Sequence, residues 1–320
     1  MRKHVIVTGN LGYLGPIVVK KLKEKGFVTV GLDVELYPSV IPFDCLPEVQ
    51  ITKVADLPEY LWEPTAVVHL AGMSNDILGE LSPSLTYAVN TRLAADIAAL
   101  FGEAKHIYAS SASVYGHGNP LGSSSETDAL DPITTYADSK VKAERLLDFI
   151  NPASVALRFG TLWGDSPNFR VDTVVNAFAV EVAKGGVITP KSNSKRPILH
   201  VSDAADAIAK VVESQREEYT GVYNVAGENI QVFDIAHKLA AKLNCQVSID
   251  ESLRDADERS YFIGTFKVPH LVPENAITLN SDEHVNRLFA TAKANLDKLS
   301  RISEYRQHLA WLSEVGQQEG

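Results

Sequence analysis

A glycine-rich turn between a buried strand and a helix is the feature that most constrains the fold of this chain. Residues 5–8 (Val-Ile-Val-Thr) have the composition of a buried strand, and residues 15–25 have helical spacing. Gly9, Gly12 and Gly15 lie between them at intervals of three residues. Glycine at these positions allows a turn that is too tight for side chains. The sequence therefore predicts a strand–turn–helix unit of an α/β fold at this point.

Strand and helix patterns continue to alternate over the first half of the sequence. Apolar runs predict five further strands, at residues 27–33, 49–54, 66–70, 106–109 and 154–158, and helical spacing predicts helices at residues 82–101 and 135–149. Such alternation is typical of a parallel sheet that is covered by helices on both faces. We therefore expect a Rossmann-type α/β fold with a doubly wound parallel sheet.

After about residue 158 the alternation becomes less regular. Helical patterns occupy residues 172–184, 202–214, 233–243 and 284–315, and a short strand pattern occupies residues 221–225. We expect residues 1–165 to form the Rossmann-type domain, and residues 166–320 to form a smaller lobe over the carboxyl edge of the sheet. We also expect later segments of the chain to be interleaved with the first domain.

Composition argues against several classes of protein. The net charge of −10 argues against a nucleic-acid or anionic-membrane partner. Cys45 and Cys245 have no metal-ligand spacing and indicate no disulfide framework. No apolar run approaches the roughly 18 residues of a membrane-spanning helix. We therefore expect a cytoplasmic protein with no metal site and no membrane partner.

The glycine-rich turn also predicts a cofactor site. Its backbone N–H groups and the N-terminus of the next helix are suited to bind a pyrophosphate, although a plain strand–helix turn has the same pattern. The predicted contacts in the turn are Gly9, Asn10, Leu11, Gly12, Tyr13, Leu14 and Gly15. Asp33 ends the second strand, where a carboxylate accepts hydrogen bonds from ribose hydroxyls and repels a 2′-phosphate. This favours NAD over NADP. Asp56 and Leu57 are candidates for adenine contacts.

Tyr136 and Lys140 are four residues apart and therefore share one face of a predicted helix. A phenol has a pKa of about 10, but an adjacent ammonium and the pyridinium of NAD favour the tyrosinate. Tyr136 can then take a proton from a substrate hydroxyl while hydride leaves for NAD, and Lys140 can hold the nicotinamide ribose. The alternative is a solvated helix face. The serine-rich run 109–116, which follows a strand, favours the catalytic interpretation because ligands bind at this edge of such sheets.

Together these motifs resemble the extended short-chain dehydrogenase/reductases, and specifically the NAD-dependent nucleotide-sugar epimerase/dehydratase group. The resemblance covers essentially the whole chain. The matching pieces are TGNLGYLG at residues 8–15, Asp33, Asp56-Leu57, HLAG at 69–72, SSASVYG at 110–116, YADSK at 136–140, RFGT at 158–161, RPILHV at 196–201 with Asp203, and YNV at 223–225.

The resemblance implies roles for individual residues. Ser111 is at the position of the catalytic Ser or Thr, and Ser113 is at that of a second group that touches the sugar. Leu70, Ala71, Gly72, Asn90 and Phe159 are implied to line the cofactor. The implied substrate contacts are Ser74, Asn176, Arg196 and either Arg254 or Arg259, the arginines holding a diphosphate. For each arginine, a surface ion pair is the alternative.

The sequence also departs from branches of this group. Ala112 and Ser113 stand where the dehydratases have Asp-Glu, and Met73 to Asp76 stand where galactose epimerases have a lysine. Thr161 replaces an Asn of those epimerases. We expect epimerisation of a nucleotide sugar by transient oxidation at carbon 4. The alternatives are a sugar dehydrogenase or reductase, a dehydratase that uses other acids, and a catalytically silent NAD-sensing protein. The resemblance also implies a homodimer. Helices 82–101 and 135–149 are the candidates for its contact, and the alternative is that their apolar residues belong to the core.

Overall fold

A computed structural model describes residues 3–35, 39, 42–74, 76–250, 252, 259–265, 267 and 271–299. The strands are β1 (His4–Thr8), β2 (Val28–Leu32), β3 (Val49–Ile51), β4 (Ala66–His69), β5 (Lys105–Ser111), β6 (Ser123–Ser124), β7 (Val155–Phe159), β8 (Thr161–Trp163), β9 (Lys195–His200), β10 (Gly221–Val225), β11 (Glu228–Gln231) and β12 (Phe262–Ile263). The helices are α1 (Gly15–Glu24), α2 (Asp76–Leu81), α3 (Pro83–Tyr87), α4 (Leu93–Leu100), α5 (Thr135–Ile150), α6 (Val174–Ala183), α7 (Val201–Glu213), α8 (Val232–Leu243) and α9 (Asp282–Ala294).

Seven strands form one parallel sheet in the order β10-β7-β5-β4-β1-β2-β3. Strands β1 and β4 are buried along their whole length, as expected for a sheet that is covered on both faces. The chain runs outward from β1 through β2 and β3, and then returns to the other side of β1 at β4. Ligands bind at the carboxyl ends of strands where the order reverses in this way. The Rossmann-type doubly wound fold is thereby confirmed.

The second half of the chain contributes to both parts of the molecule. Strand β10 completes the main sheet, and α7 packs against α1. Strands β8, β9 and β11 form a separate small sheet, which packs with α6, α8 and α9 around a second apolar core containing Trp163 and Phe169. Segments after residue 165 therefore belong both to the main sheet and to the part of the structure around the small sheet. No described helix is long and apolar enough to cross a membrane.

The structure does not form the single regular α-helix over residues 82–101 that the sequence predicts. Residues Ala88–Arg92 form a π-helical turn between α3 and α4. A π turn adds a residue to the helical repeat, so the apolar positions before and after it no longer share one face. Leu85, before the π turn, is consequently 48 % exposed, whereas Ile97, after it, is buried. Leu100, the last residue of α4, is also 48 % exposed. The predicted C-terminal helix, 284–315, corresponds to α9, and its part beyond residue 299 lies outside the described residues.

Candidate active site

The glycine-rich turn owes its shape to two close backbone approaches. Gly9 has a φ of +68°, and a Cβ there would lie 2.5 Å from the Ala71 nitrogen at the end of β4. A Cβ on Gly15 would lie 2.4 Å from the Gly9 carbonyl oxygen. Gly12 differs, because a Cβ there would meet only the Gly9 oxygen, at 3.2 Å. The backbone at Gly12 therefore leaves a cradle that a side chain would fill, which fits the pyrophosphate of a dinucleotide.

Hydrogen bonds of the side chains of Asp33 and Asn10 connect the glycine-rich turn to neighbouring segments. The Asp33 carboxylate accepts hydrogen bonds from the backbone N–H groups of Leu11 (2.8 Å) and Glu35 (2.9 Å). A carboxylate has further lone pairs, so ribose hydroxyls can still donate to it. The Asn10 side chain is buried and donates to Gln50 Oε1 (2.7 Å), away from the turn's open side. Any contact of Asn10 with NAD would therefore come from its backbone.

Three other residues of the predicted cofactor site are mainly packing residues. Leu14 and Leu57 are buried in two apolar cores. Tyr13 is also buried, and its hydroxyl donates to the Gly164 carbonyl (2.7 Å), which ties the turn to the second half of the chain. Asp56 is exposed in a short 3-10 turn after β3. Its contact with adenine stays a prediction.

The segment after β4 is held against the catalytic helix by Asn90. Its Oδ1 accepts from the Met73 N–H (2.7 Å), and its Nδ2 donates to the Met73 carbonyl (3.1 Å) and to Ser139 Oγ (2.9 Å). Asn90 is fully buried in the π turn. Its amide therefore fixes Met73 in the segment that is predicted to line the cofactor. A Cβ on Gly72 would lie 3.6 Å from Lys140 Nζ, so this segment borders the catalytic residues.

Lys140 and Tyr136 face the carboxyl end of β5 from helix α5. Lys140 is buried, and its Nζ donates to the Ala109 carbonyl (2.8 Å) and lies 5.6 Å from the centre of the Tyr136 ring. Burial lowers the pKa of Lys140 to about 8, and Glu144 opposes this shift. The described residues engage one of its three ammonium donors, so donors remain for the nicotinamide ribose.

The pKa of Tyr136 lies above its usual value, which differs from the expectation that its neighbours favour the tyrosinate. Burial raises the pKa, while hydrogen bonding with Ser111 and the positive charge of Arg170 lower it. Burial disfavours the charged form, and in this structure that effect exceeds those of the neighbours. The pyridinium of bound NAD would add a positive charge and act in the lowering direction.

Ser111 ends β5 and caps the short 3-10 turn Ala112–Tyr115. Its Oγ accepts hydrogen bonds from the Ser113 N–H (3.2 Å) and the Ser113 hydroxyl (2.9 Å). The structure thus brings together Ser111, Tyr136 and Lys140, which are separated by up to 29 positions in the sequence. Phe159, the last residue of β7, pairs with Ser111 in the sheet and is buried.

Several predicted substrate contacts come from different elements of the structure and are linked by hydrogen bonds and ion pairs. Arg196 donates to the carbonyls of Lys195 (2.9 Å) and Arg259, and Arg259 forms an ion pair with Asp76. The side chain of Ser74 accepts from Arg170 (3.2 Å). Arg254 lies outside the described residues. Arg196 and Arg259 are therefore neighbours, as binding to one diphosphate would require.

The structure does not place the Asn176 amide where it could contact a diphosphate directly. It is 0 % exposed. Its Oδ1 accepts from the Gly164 N–H (3.0 Å), and its Nδ2 donates to the Arg170 carbonyl (2.9 Å) and the Tyr13 hydroxyl (3.2 Å). These bonds would have to break before a phosphate could reach the amide. Asn176 instead joins the loop before α6 to the glycine-rich turn.

Two groups of residues at the site were missed from the sequence. Arg170 precedes α6, forms an ion pair with Asp172 (2.9 Å) and also donates to the Ser74 carbonyl (3.0 Å). Its only sequence signal is an Arg-x-Asp spacing in an irregular segment. The second group is the buried ion pair of Arg158 and Glu144 (2.7 Å), in which Glu144 also accepts from the Ser110 hydroxyl; the sequence identified Arg158 only as part of a matching motif. The spacing of Lys140 and Glu144 on one helix face was the available signal for it.

The comparisons with known proteins agree with this geometry. The chain matches the model of the NAD dependent epimerase/dehydratase family over residues 5–226. It belongs to this family. It is an enzyme of this family, and NAD is its cofactor. The family contains epimerases, reductases and dehydratases of nucleotide sugars.

Individual relatives span several of these reactions. The dTDP-4-dehydrorhamnose reductase of Aggregatibacter actinomycetemcomitans is 25 % identical over 79 % of this chain and 85 % of its own. The UDP-glucose 4-epimerase of Azospirillum brasilense is 28 % identical over 63 % of this chain and 66 % of its own. The fold also matches the UDP-N-acetylglucosamine 4-epimerase of Methanobrevibacter ruminantium, with a TM-score of 0.78, 21 % identity and coverage of 91 % of this chain and 98 % of that one.

Proposed function

We propose that this enzyme epimerises a nucleotide-activated sugar by transient oxidation at carbon 4 and re-reduction. The observation that carries the proposal is the set Ser111, Tyr136 and Lys140 without a carboxylate at residues 112 and 113. Ala112 is buried, and Ser113 donates to Ser111. The set is equipped to move one proton reversibly and has no acid at these two positions to expel water.

The dehydratase alternative requires another acid near Tyr136. Asp76 is the described carboxylate that raises the pKa of Tyr136. It accepts a hydrogen bond from the Thr134 hydroxyl (2.8 Å) and is paired with Arg259. Dehydration through Asp76 would require this carboxylate to release the Thr134 hydroxyl and reach the sugar, whereas epimerisation needs no acid there. The arrangement therefore favours epimerisation over dehydration.

Each catalytic residue has a distinct part in the proposed mechanism. NAD, when bound, accepts hydride from the sugar and returns it. Tyr136 takes the proton from the hydroxyl on carbon 4 during oxidation and gives it back during reduction. Ser111 holds the reacting oxygen by donating its hydroxyl proton. Lys140 binds the nicotinamide ribose and contributes positive charge beside Tyr136.

Epimerisation also requires that the sugar turns while its nucleotide stays bound. We assign the diphosphate to Arg196 and Arg259, because a guanidinium binds phosphate oxygens in a bidentate manner. Arg259 would then exchange Asp76 for the phosphate. Ser74 and Ser113 are assigned to sugar hydroxyls. Residues 1–165 with β10 and α7 would form the NAD unit, and the rest of 166–320 the lobe for the nucleotide sugar.

The decisive experiment is product analysis over a panel of UDP-, GDP-, CDP- and dTDP-sugars. A product of identical mass, with changed carbon-13 and proton NMR signals and no net consumption of NAD, is expected. A product lighter by one water would assign the protein to the dehydratases. A stoichiometric change in NADH, with a product differing by two hydrogens, would make it a dehydrogenase or reductase.

Reduction is the second candidate, because three of the relatives are named as reductases, two of them of dTDP-sugars. A reductase would use a 4-keto sugar and release oxidised cofactor. Asp33 argues against it as the main activity, since it favours NAD, which cells keep largely oxidised. Incubation of a 4-keto sugar nucleotide with stoichiometric NADH therefore belongs to the same panel.

We also propose a homodimer through the helices at residues 82–101 and 135–149, in the cytoplasm. Leu85, Leu100, Leu146 and Phe149 expose apolar surface on these helices, with Phe149 85 % exposed. A contact between two copies would remove this surface from water. Analytical ultracentrifugation should show a dimer for the wild type and a monomer for Phe149→Glu. A wild-type monomer at micromolar concentration would contradict the proposal.

A further inference from the structure

The hydrogen bonds of Ser111 have a defined direction. Its Oγ accepts two hydrogen bonds, and both come from Ser113: one from the backbone N–H (3.2 Å) and one from the side-chain hydroxyl (2.9 Å). A serine hydroxyl offers two acceptor lone pairs and one donor hydrogen. With both lone pairs engaged, Ser111 takes part in any further hydrogen bond only as a donor.

This restriction matters because Ser111 faces Tyr136. When Ser111 donates, the Tyr136 oxygen accepts, and an accepted hydrogen bond stabilises the tyrosinate. The opposite arrangement, in which the Tyr136 hydroxyl donates to Ser111, stabilises the neutral phenol. By occupying a lone pair of Ser111, the Ser113 hydroxyl therefore favours the arrangement that stabilises the tyrosinate over the one that stabilises the neutral phenol.

We propose that Ser113 is a positioning residue whose hydroxyl occupies one lone pair of Ser111, so that Ser111 presents its one proton to Tyr136 before the sugar binds and to the reacting oxygen of the sugar afterwards. This role goes beyond the contact of Ser113 with the sugar. It rests on the proposed function only for the parts played by Ser111 and Tyr136. Without the Ser113 hydroxyl, Ser111 can turn and accept from Tyr136.

The backbone around Ser113 is well fixed. Ser113 lies in the turn Ala112–Tyr115, and its carbonyl accepts from the Gly116 N–H (3.1 Å). Gly116 has a φ of +53°, and Val114 and Tyr115 anchor the turn in an apolar core. Replacement of Ser113 by alanine removes one hydroxyl and leaves these contacts and its N–H in place. The variant should therefore fold normally.

Charged and titratable groups from several elements also lie near Tyr136, and of these Asp76 raises and Arg170 lowers its pKa. They are Lys140 on its own helix, Asp76 on α2, Arg170 before α6, Tyr108 on β5 and Tyr261 before β12. None of them is altered by a substitution at Ser113. A change in Tyr136 ionisation in that variant therefore reports on the Ser113–Ser111 hydrogen bond.

The test is the ionisation of Tyr136 in the NAD-loaded protein, followed by carbon-13 NMR of tyrosine labelled at Cζ. The Tyr136→Phe variant assigns the signal among the 11 tyrosines. In Ser113→Ala the midpoint should rise by about half to one pKa unit, a threefold to tenfold change in the ionisation constant, which is the size of one net hydrogen bond. Ser113→Thr retains the hydroxyl and should restore the wild-type midpoint.

A second measurement uses the reaction. The acid limb of the kcat/KM profile should move upward in Ser113→Ala by the same amount, with kcat at neutral pH reduced about threefold to tenfold. A rise in KM would report the separate contact of Ser113 with the sugar. An unchanged or lowered midpoint in Ser113→Ala, or a failure of Ser113→Thr to restore it, would overturn the proposal. The NMR titration needs no sugar. If no sugar nucleotide is converted by the wild type, the proposed function fails while the role of Ser113 is still tested.

Discussion

The cofactor side and the substrate side of the active site are built in different ways. On the cofactor side, buried amides and backbone groups are joined by hydrogen bonds, as with Asn90 and Met73 (2.7 Å). On the substrate side, charged side chains are paired with one another, as with Arg259 and Asp76. Buried polar groups that are fully bonded specify one rigid arrangement. The Arg259–Asp76 pair is only partly buried, and ion pairs in contact with solvent contribute little stability and can exchange partners.

This difference suits the proposed reaction. NAD has to stay in one position for hydride to leave and return, whereas the sugar has to turn between the two steps. A rigid cofactor site and an exchangeable diphosphate site would meet both needs. The predictions below test whether the two sides can be altered independently.

The largest effect is expected for Tyr136→Phe, which keeps the ring and removes the hydroxyl. Turnover should fall at least about 100-fold, the size expected for general acid–base catalysis. NAD binding should be nearly retained, because the glycine-rich turn and Lys140 are unchanged. Steady-state kinetics and NAD titration measure both. Turnover at the wild-type level would refute the assignment.

Arg196→Ala should affect the substrate side alone. Loss of a charged hydrogen bond to phosphate should raise KM for the sugar nucleotide about 10- to 30-fold. The NAD affinity should not change, and Arg216→Ala, at an arginine that contacts Gly102 and Glu103, is a matched control. An equal loss of NAD affinity in Arg196→Ala would show that the two sides are not independent.

Asp33 gives a test of the cofactor side. Its carboxylate, bonded to the Leu11 N–H, should repel a 2′-phosphate and make NADP binding about tenfold weaker than NAD binding. Calorimetric titration of apo protein with each dinucleotide measures the ratio. Asp33→Asn should reduce the preference. Tighter binding of NADP by the wild type would mean that Asp33 does not face the ribose.

The smallest effect is expected at Arg170, which connects the two sides by contacting Ser74 and influencing Tyr136. Its positive charge lowers the pKa of Tyr136, so Arg170→Gln should raise that pKa. Less tyrosinate would then be present at neutral pH, and kcat/KM should fall about threefold, with recovery at higher pH. Arg170→Lys keeps the charge and should retain the wild-type pH profile. A loss that does not recover with pH would indicate a structural role instead.

The sequence by itself determined the class of fold and the central part of the site. Alternating apolar runs and helical patterns were sufficient for the parallel sheet, because local periodicity reports which face of each element is buried. The tight turn that the sequence predicted at Gly9 and Gly15 is present in the structure. The motifs containing Tyr136 and Lys140 indicated the family, and the family match confirmed NAD as the cofactor.

Only the tertiary structure decided how individual polar atoms are used. Asn176 and Asn90 carry amides that suit a ligand, yet packing buries both and engages them with protein groups. Arg170 and Glu144 gave weak local signals, because their partners are brought close by the fold. The hydrogen bonds from Ser113 to Ser111 depend on the turn geometry after β5. Sequence patterns identify which groups are present, whereas the directions of buried hydrogen bonds depend on three-dimensional packing.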